Sequence, residues 1–191
     1  MTTICLVRHG ETDWNALGMI QGKTDIPLNQ KGIKQAKECG VFLKSDTWDV
    51  IVTSPLTRAK QTAEIISSFI DKPTFEMAEF IERDYGDAEG MTAEERMKTF
   101  PDKKYPNQEE RTSLTKRIMS GLKQIKQKWE GKRVIVVAHG AVINAILAEI
   151  SNEEIGSSIT RLRNACLNHI EHADETWNVV DFNIVSHLTE G

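Results

Sequence analysis

The chain has 191 residues, 39% of them hydrophobic and 27% charged, and a formal net charge of −4. That size and balance fit one globular domain, residues 1–191, with a sizeable core, and exclude a disordered chain. The mild acidity argues against nucleic acid or an anionic membrane held by bulk charge, so any anion must meet positive charge gathered locally.

In chain order, residues 4–7 (Ile-Cys-Leu-Val) form an apolar run that reads as a buried strand. A polar loop follows over residues 9–29, then a helix over 31–43 with Ile33, Ala36, Gly40 and Leu43 at helical spacing. Val50-Ile51-Val52 reads as a second buried strand, and Pro55 opens the next helix, where a missing N–H costs nothing. Ala59, Ala63, Ile66 and Ile70 give that helix one apolar stripe. A short strand is expected over 74–77. Residues 80–107 are irregular, with Gly86, Gly90, Pro101, Pro106 and one helix over 92–100. A long helix is expected over 109–129, buried through Leu114, Ile118, Leu122, Ile125 and Trp129. Residues 133–138 are apolar at every interior position, as strands covered on both faces are. An apolar helix over 141–150 and two strands over 165–171 and 176–182, joined by a turn at 173–175, complete the chain. Alternating strands and helices predict an α/β fold, a three-layer αβα sandwich around a mostly parallel central sheet.

Cys5, Cys39 and Cys166 are odd in number and scattered, which reads as free thiols in a reducing cytoplasm. The N-terminus has no signal-peptide pattern, and no apolar stretch approaches the roughly 20 residues that span a bilayer. A soluble, cytoplasmic protein is expected.

Two segments share a layout. Ile4-Cys5-Leu6-Val7-Arg8-His9-Gly10 is followed by Asn15, and Val134-Ile135-Val136-Val137-Ala138-His139-Gly140 by Asn144. Each is a buried strand that delivers a histidine and then a glycine at its carboxyl end, where open α/β sheets bind ligands. The strand at 50–52 leads into Arg58 in the first turn of the next helix. Three segments can thus aim Arg8, His9, Arg58 and His139 at one place. A single strand-end histidine is more often a plain structural residue, but two with paired arginines suggest an anion site.

The residues Leu6-Val7-Arg8-His9-Gly10-Glu11-Thr12 and Asn15 resemble the signature of the histidine phosphatase, or phosphoglycerate-mutase-like, superfamily. Four further blocks resemble it in order. They are Gln21-Gly22 with Asp25, Pro27-Leu28 and Gly32; the run from Ser54 to Ala63; Phe80-Ile81-Glu82 with Tyr85-Gly86 and Glu89-Gly90; and Ala138-His139-Gly140. Ala88, Ala138 and Gln108-Glu109-Glu110 depart from common family residues without touching the inferred nucleophile or phosphate pocket, so they bear on substrate preference and not on the reaction class.

The resemblance implies a phosphoglycerate-mutase-like fold and phosphoryl transfer through a phosphohistidine on His9. Arg8 and Arg58 would keep His9 neutral by like-charge repulsion and fork onto phosphate oxygens. Glu82 would be the proton donor. His139, expected to carry positive charge, would donate to the transferring group. Asn15, Gln21, Gly22 and Gly140 are further candidates for the substrate pocket, although a loop cap and a turn glycine explain Asn15 and Gly22 equally well. Gly10 is expected to turn the chain sharply beside the phosphate. No metal and no cofactor are implied, since arginines and histidines supply the charge.

The stretch between Glu82 and the long helix is short and mixed in sign, which favours a phosphatase over a mutase with its shielding cover. The chain resembles the small bacterial broad-specificity phosphatases of the superfamily, acting on small phosphorylated metabolites. The alternatives are a cofactor-dependent phosphoglycerate mutase and a phosphatase dedicated to α-ribazole phosphate or fructose 2,6-bisphosphate. A non-catalytic phosphoprotein binder and a zinc hydrolase are weaker, because His9 and Glu82 are both present and no third zinc ligand sits at a recognisable spacing. Nothing in the pattern sets the oligomeric state.

Overall fold

The computed structural model describes residues 1–156 and 159–189. It contains β1 (Thr2–Arg8), α1 (Asp13–Ala16), α2 (Gln30–Leu43), β2 (Val50–Thr53), α3 (Thr57–Ile70) and β3 (Thr74–Glu76). Two 3₁₀ turns follow at Ala78–Phe80 and Gly86–Ala88, then α4 (Ala93–Thr99), α5 (Arg111–Lys128), β4 (Arg133–Ala138), α6 (Gly140–Ile150), β5 (Leu167–Ala173) and β6 (Thr176–Ile184). The six strands form one sheet in the order β3-β2-β4-β1-β5-β6. The first four are mutually parallel where they pair, whereas β5 runs antiparallel to β1 and β6 antiparallel to β5.

The apolar strands explain the three layers. Ile4, Leu6, Val50, Val52, Val134 and Val136 point to the face covered by α5 and α6. Their neighbours Cys5, Val7, Ile51, Ile135 and Val137 point to the face covered by α2 and α3. Fully burying one such valine, leucine or isoleucine contributes about 1.5–3 kcal/mol. A one-residue slip would exchange the faces of a whole strand, so packing on both sides pins the register. All three cysteines are buried and free.

Local chemistry sets several boundaries. The N-terminus of α3 has no cap from Leu56; instead the Asp25 carboxylate accepts from Thr57 N and Thr57 Oγ1, both at 2.8 Å. This ties the loop of the second sequence block to the first turn carrying Arg58. β5 begins two residues later than predicted, because Ala165 sits at φ 59° and cannot extend the strand. The turn before β6 narrows to Asp174-Glu175, both at positive φ, as a two-residue hairpin requires. Within the polar loop, Thr12 and Asn15 form a reciprocal capping box that creates the single turn of α1.

Gly10 overturns one expectation. Its backbone does not take a left-handed turn. A Cβ there would lie 2.4 Å from the carbonyl oxygen of Gly32, so glycine is required because the start of α2 packs directly on the chain.

Candidate active site

Strand register builds the site. Arg8 pairs with Ala138 across β1 and β4, and Thr53 pairs with Val137 across β2 and β4. His9 N donates to Ala138 O and Ser54 N to Val137 O, both at 3.0 Å, which carries the pairing just past the strand ends. The two histidines of the repeated layout therefore emerge side by side, with ring centroids 5.2 Å apart.

His9 is 2% exposed, and its Nδ1 donates to its neighbour's carbonyl, Gly10 O, at 2.7 Å. That bond places the proton on Nδ1 and leaves the Nε2 lone pair free. Burial, then the charges of Arg58 and Arg8, hold the imidazole well below its usual pKa. His9 is thus neutral at pH 7, as a nucleophile must be. Arg58 is fully buried, its Nη1 and Nη2 donating to Thr24 O at 2.8 Å and Gly22 O at 2.6 Å. Arg8 Nη1 donates to Leu162 O. Thr62 Oγ1 donates to Arg58 O and accepts from Gly10 N, joining the nucleophile's segment to the arginine's helix.

His139 stands in the same field. Burial first, then Arg58, His9 and Arg8, hold it well below its ordinary pKa, so it is neutral in this structure. A buried imidazole facing two guanidiniums does not keep a second proton. Its Nε2 lies 2.7 Å from Ser54 Oγ, whose oxygen accepts from Leu56 N.

Glu82 lies just beyond the first 3₁₀ turn. Its Oε1 accepts from Arg83 N at 2.9 Å and its Oε2 from Ala141 N at 3.3 Å. Burial pushes its carboxyl above the usual range, against those N–H groups and the charges of Arg58 and Arg8. A carboxyl that retains its proton more readily is suited to general acid work.

A cavity of about 590 Å³ opens at this end of the sheet. Arg8, His9, Asn15, Gln21, Gly22, Arg58, Glu82 and Gly140 all line it. His139 stands behind, against the His9 ring. Asn15 combines both of its readings, since its Oδ1 accepts from Thr12 N while the residue lines the cavity. Gln21 accepts from Thr12 Oγ1 at 2.6 Å. Gly22 sits at φ 53°, and a Cβ there would collide with the Glu89 carboxylate. Buried nitrogens are normally hydrogen-bonded. Yet, among the described residues, Arg8 Nε, Arg58 Nε and His139 Nδ1 have no partner.

Sequence reading gave no role to the groups that hold this centre. Arg117 of α5 grips the Glu109 carboxylate with Nε and Nη2, and donates to Glu79 O, Ile81 O and Glu82 O. It thereby fixes the segment that delivers Glu82. Glu89 accepts from Lys23 N, Thr24 N, Thr24 Oγ1 and Tyr85 N, clamping the loop whose carbonyls hold Arg58. Arg96, Asn144 and Arg161 also line the cavity. A charged residue on the buried side of a helix was the one available signal, and Arg117, one position before the core residue Ile118, carried it.

A neutral buried imidazole in the field of two arginines, with a carboxyl of raised pKa lining the same cavity, fits an enzyme that transfers phosphoryl groups. The model of the histidine phosphatase superfamily (branch 1) matches residues 4–185. The chain belongs to that superfamily and is a phosphatase. It is 56% identical to the uncharacterized phosphatase PhoE of Bacillus subtilis (strain 168), over 99% of this chain and 98% of the relative. It is 30% identical to a probable phosphoglycerate mutase, GpmB, of Proteus mirabilis (strain HI4320), over 100% of this chain and 96% of that one. The crystal structure of phosphoserine phosphatase from Entamoeba histolytica in complex with 3-phosphoglyceric acid superposes with a TM-score of 0.87 at 32% identity, covering 98% of this chain and 100% of that one.

Proposed function

We propose that this protein hydrolyses small phosphate monoesters by two displacements at His9. Three buried nitrogens without partners among the described residues, on Arg8, Arg58 and His139, beside a His9 whose Nδ1 proton is already engaged, carry the reading. They are donors of the kind that phosphoryl oxygens accept from. In the first step, His9 Nε2 attacks phosphorus, the ester P–O bond breaks, and the Glu82 proton passes to the leaving oxygen. In the second, the Glu82 carboxylate takes a proton from water, whose oxygen attacks phosphorus. The P–N bond then breaks, inorganic phosphate leaves, and Glu82 holds its proton again.

His139 supports the transfer from behind. With the Ser54 hydroxyl donating to Nε2, its proton resides on Nδ1 and is available to the phosphoryl group. An arriving dianion reverses the local charge and favours a protonated His139.

Hydrolysis is favoured over mutation by the segment after Glu82. Of its cations Arg83, Arg96, Lys98, Lys103 and Lys104, Arg96 alone lines the cavity. The substrates are soluble phosphorylated metabolites of the cytoplasm. Among the described residues, no helix is long and apolar enough to cross a membrane.

The proton-donor role has a distinct signature. Glu82→Ala is expected to lose about 10²–10⁴-fold in kcat on an alkyl phosphate, whose alkoxide needs the proton. With p-nitrophenyl phosphate the first step proceeds without acid help, so stopped flow should show a burst of p-nitrophenol before a slow steady state. Equal losses on both esters with no burst would contradict the assignment.

A further inference from the structure

Residues 160–162, between α6 and β5, border the cavity, and the stretch from there to Asn164 is tied to the nucleophile's strand. Leu162 O accepts from Arg8 Nη1, while Asn164 Nδ2 donates to His9 O and Asn15 Oδ1, both at 3.1 Å. From the sheet side the same loop is held by Asn183 of β6. Asn183 Oδ1 accepts from Arg163 N at 3.0 Å, and its Nδ2 donates to Arg161 O at 3.3 Å. The tie continues inward, since Asn183 N donates to Asn168 Oδ1 at 2.8 Å and Asn168 Nδ2 to Leu6 O at 3.0 Å.

Asn183 achieves this from a left-handed conformation, φ 54°, in the strand pair where β5 and β6 slip register. Asparagine tolerates that conformation better than most residues, and the irregularity turns its amide toward the loop. Arg161, whose carbonyl is one of Asn183's two contacts and which precedes the buried Leu162, therefore has a held backbone.

Its guanidinium is not occupied. Arg161 lines both the main cavity and a neighbouring one of about 450 Å³, and among the described residues its side chain makes no hydrogen bond or ion pair. Arg96 lines the main cavity too, with Nη1 donating to Met91 O. The charged lining is Arg8, Arg58, Arg96 and Arg161 against Glu82, four cations to one carboxyl. One phosphate dianion at His9 leaves part of that positive charge uncompensated, and of the four arginines Arg161 is the exposed one. Burial is the main influence holding Arg8 below its ordinary pKa, and the charge of Arg161 pushes the same way, which places the two guanidiniums in one field.

We infer that Arg161 binds a carboxylate carried by the substrate beside its phosphate ester, and that Asn183 is the positioning residue that aims it. The inference rests on the reading of the His9 centre as the phosphate site and adds the class of ester preferred there. A planar fork meeting a carboxylate forms paired, charge-assisted hydrogen bonds.

The test is a matched pair of esters. 3-Phosphoglycerate and glycerol 3-phosphate share the carbon chain and differ in carrying a carboxylate or a neutral hydroxymethyl group. The wild-type enzyme should prefer 3-phosphoglycerate in kcat/KM, mainly through KM. Arg161→Ala and Arg161→Gln should lower that preference about tenfold or more, and Arg161→Lys should retain part of it. Asn183→Gly, which keeps the positive φ but removes both loop contacts, should lower the preference in the same direction by less. A preference unchanged in the Arg161 variants, with both esters hydrolysed, overturns the inference alone. A wild-type enzyme inert toward both esters and toward p-nitrophenyl phosphate overturns the phosphate-site reading beneath it, and this inference with it.

Discussion

At the scale of single residues, the active centre is a set of ionisable groups kept in unusual protonation states. His9 and His139 are held neutral by burial and by Arg58 and Arg8, whereas burial makes Glu82 keep its proton more readily. These shifts affect stability with definite signs. A histidine whose folded pKa is depressed stays neutral while the unfolded chain, titrating near about 6.5, takes up protons. The contribution of both histidines is therefore complete above that pH and is lost as pH falls below it toward the depressed folded values. Glu82 acts oppositely, its contribution fading as pH rises from the unfolded carboxylate range through its raised folded value. Thermal unfolding midpoints followed from about pH 5 to 7 should climb more steeply for the wild type than for His9→Asn/His139→Asn. Parallel curves would mean that the two imidazoles are not neutral in the fold.

These residues were legible because each sits at a position the pattern marks. Two apolar strands ended in histidine and glycine, and an arginine followed Pro55 by three residues. Their environment was not legible. The sequence places Arg8 and Arg58 near His139 but cannot reveal that burial is the largest influence on its protonation.

At the scale of elements, the site depends on joints between segments far apart in the chain. Arg117 joins α5 to the segment ending in Glu82, with side-chain exposure of 21% against 13% for its partner Glu109. Arg117→Met would leave Glu79 O, Ile81 O and Glu82 O without their donor. The expected cost is roughly 2–3 kcal/mol, or about 5–10 °C in Tm. Because the displaced group is the proton donor, kcat should fall more on an alkyl phosphate than on p-nitrophenyl phosphate. A loss of Tm with an unchanged ratio of the two rates would leave Arg117 a structural role only. The helix that carries this joint was read from periodicity, two residues too long at its start and one at its end. The joint itself was hidden, because Arg117 and its carbonyl partners are separated by 35 residues or more and no local pattern records them. Gly10 is a similar case: its glycine answers to Gly32 on another element, not to a turn of its own.

At the scale of the whole molecule, a protein of net charge −4 brings four of its arginines to the lining of one cavity. The parallel strands β1, β2 and β4 bring their carboxyl ends to one edge, and that single edge receives Arg8, Arg58, His9 and His139. The acidic exterior suits small phosphate esters and disfavours polyanions. The central claim is that the phosphoryl group passes through His9. Its most direct test is to mix Glu82→Ala with p-nitrophenyl phosphate, quench in alkali, where phosphohistidine survives, and map the modified peptide by mass spectrometry. The account predicts one phosphoryl group, labile to acid, on the imidazole of His9. Recovery of the phosphoryl group on any other residue, or of unmodified enzyme after a full burst of p-nitrophenol, would contradict it.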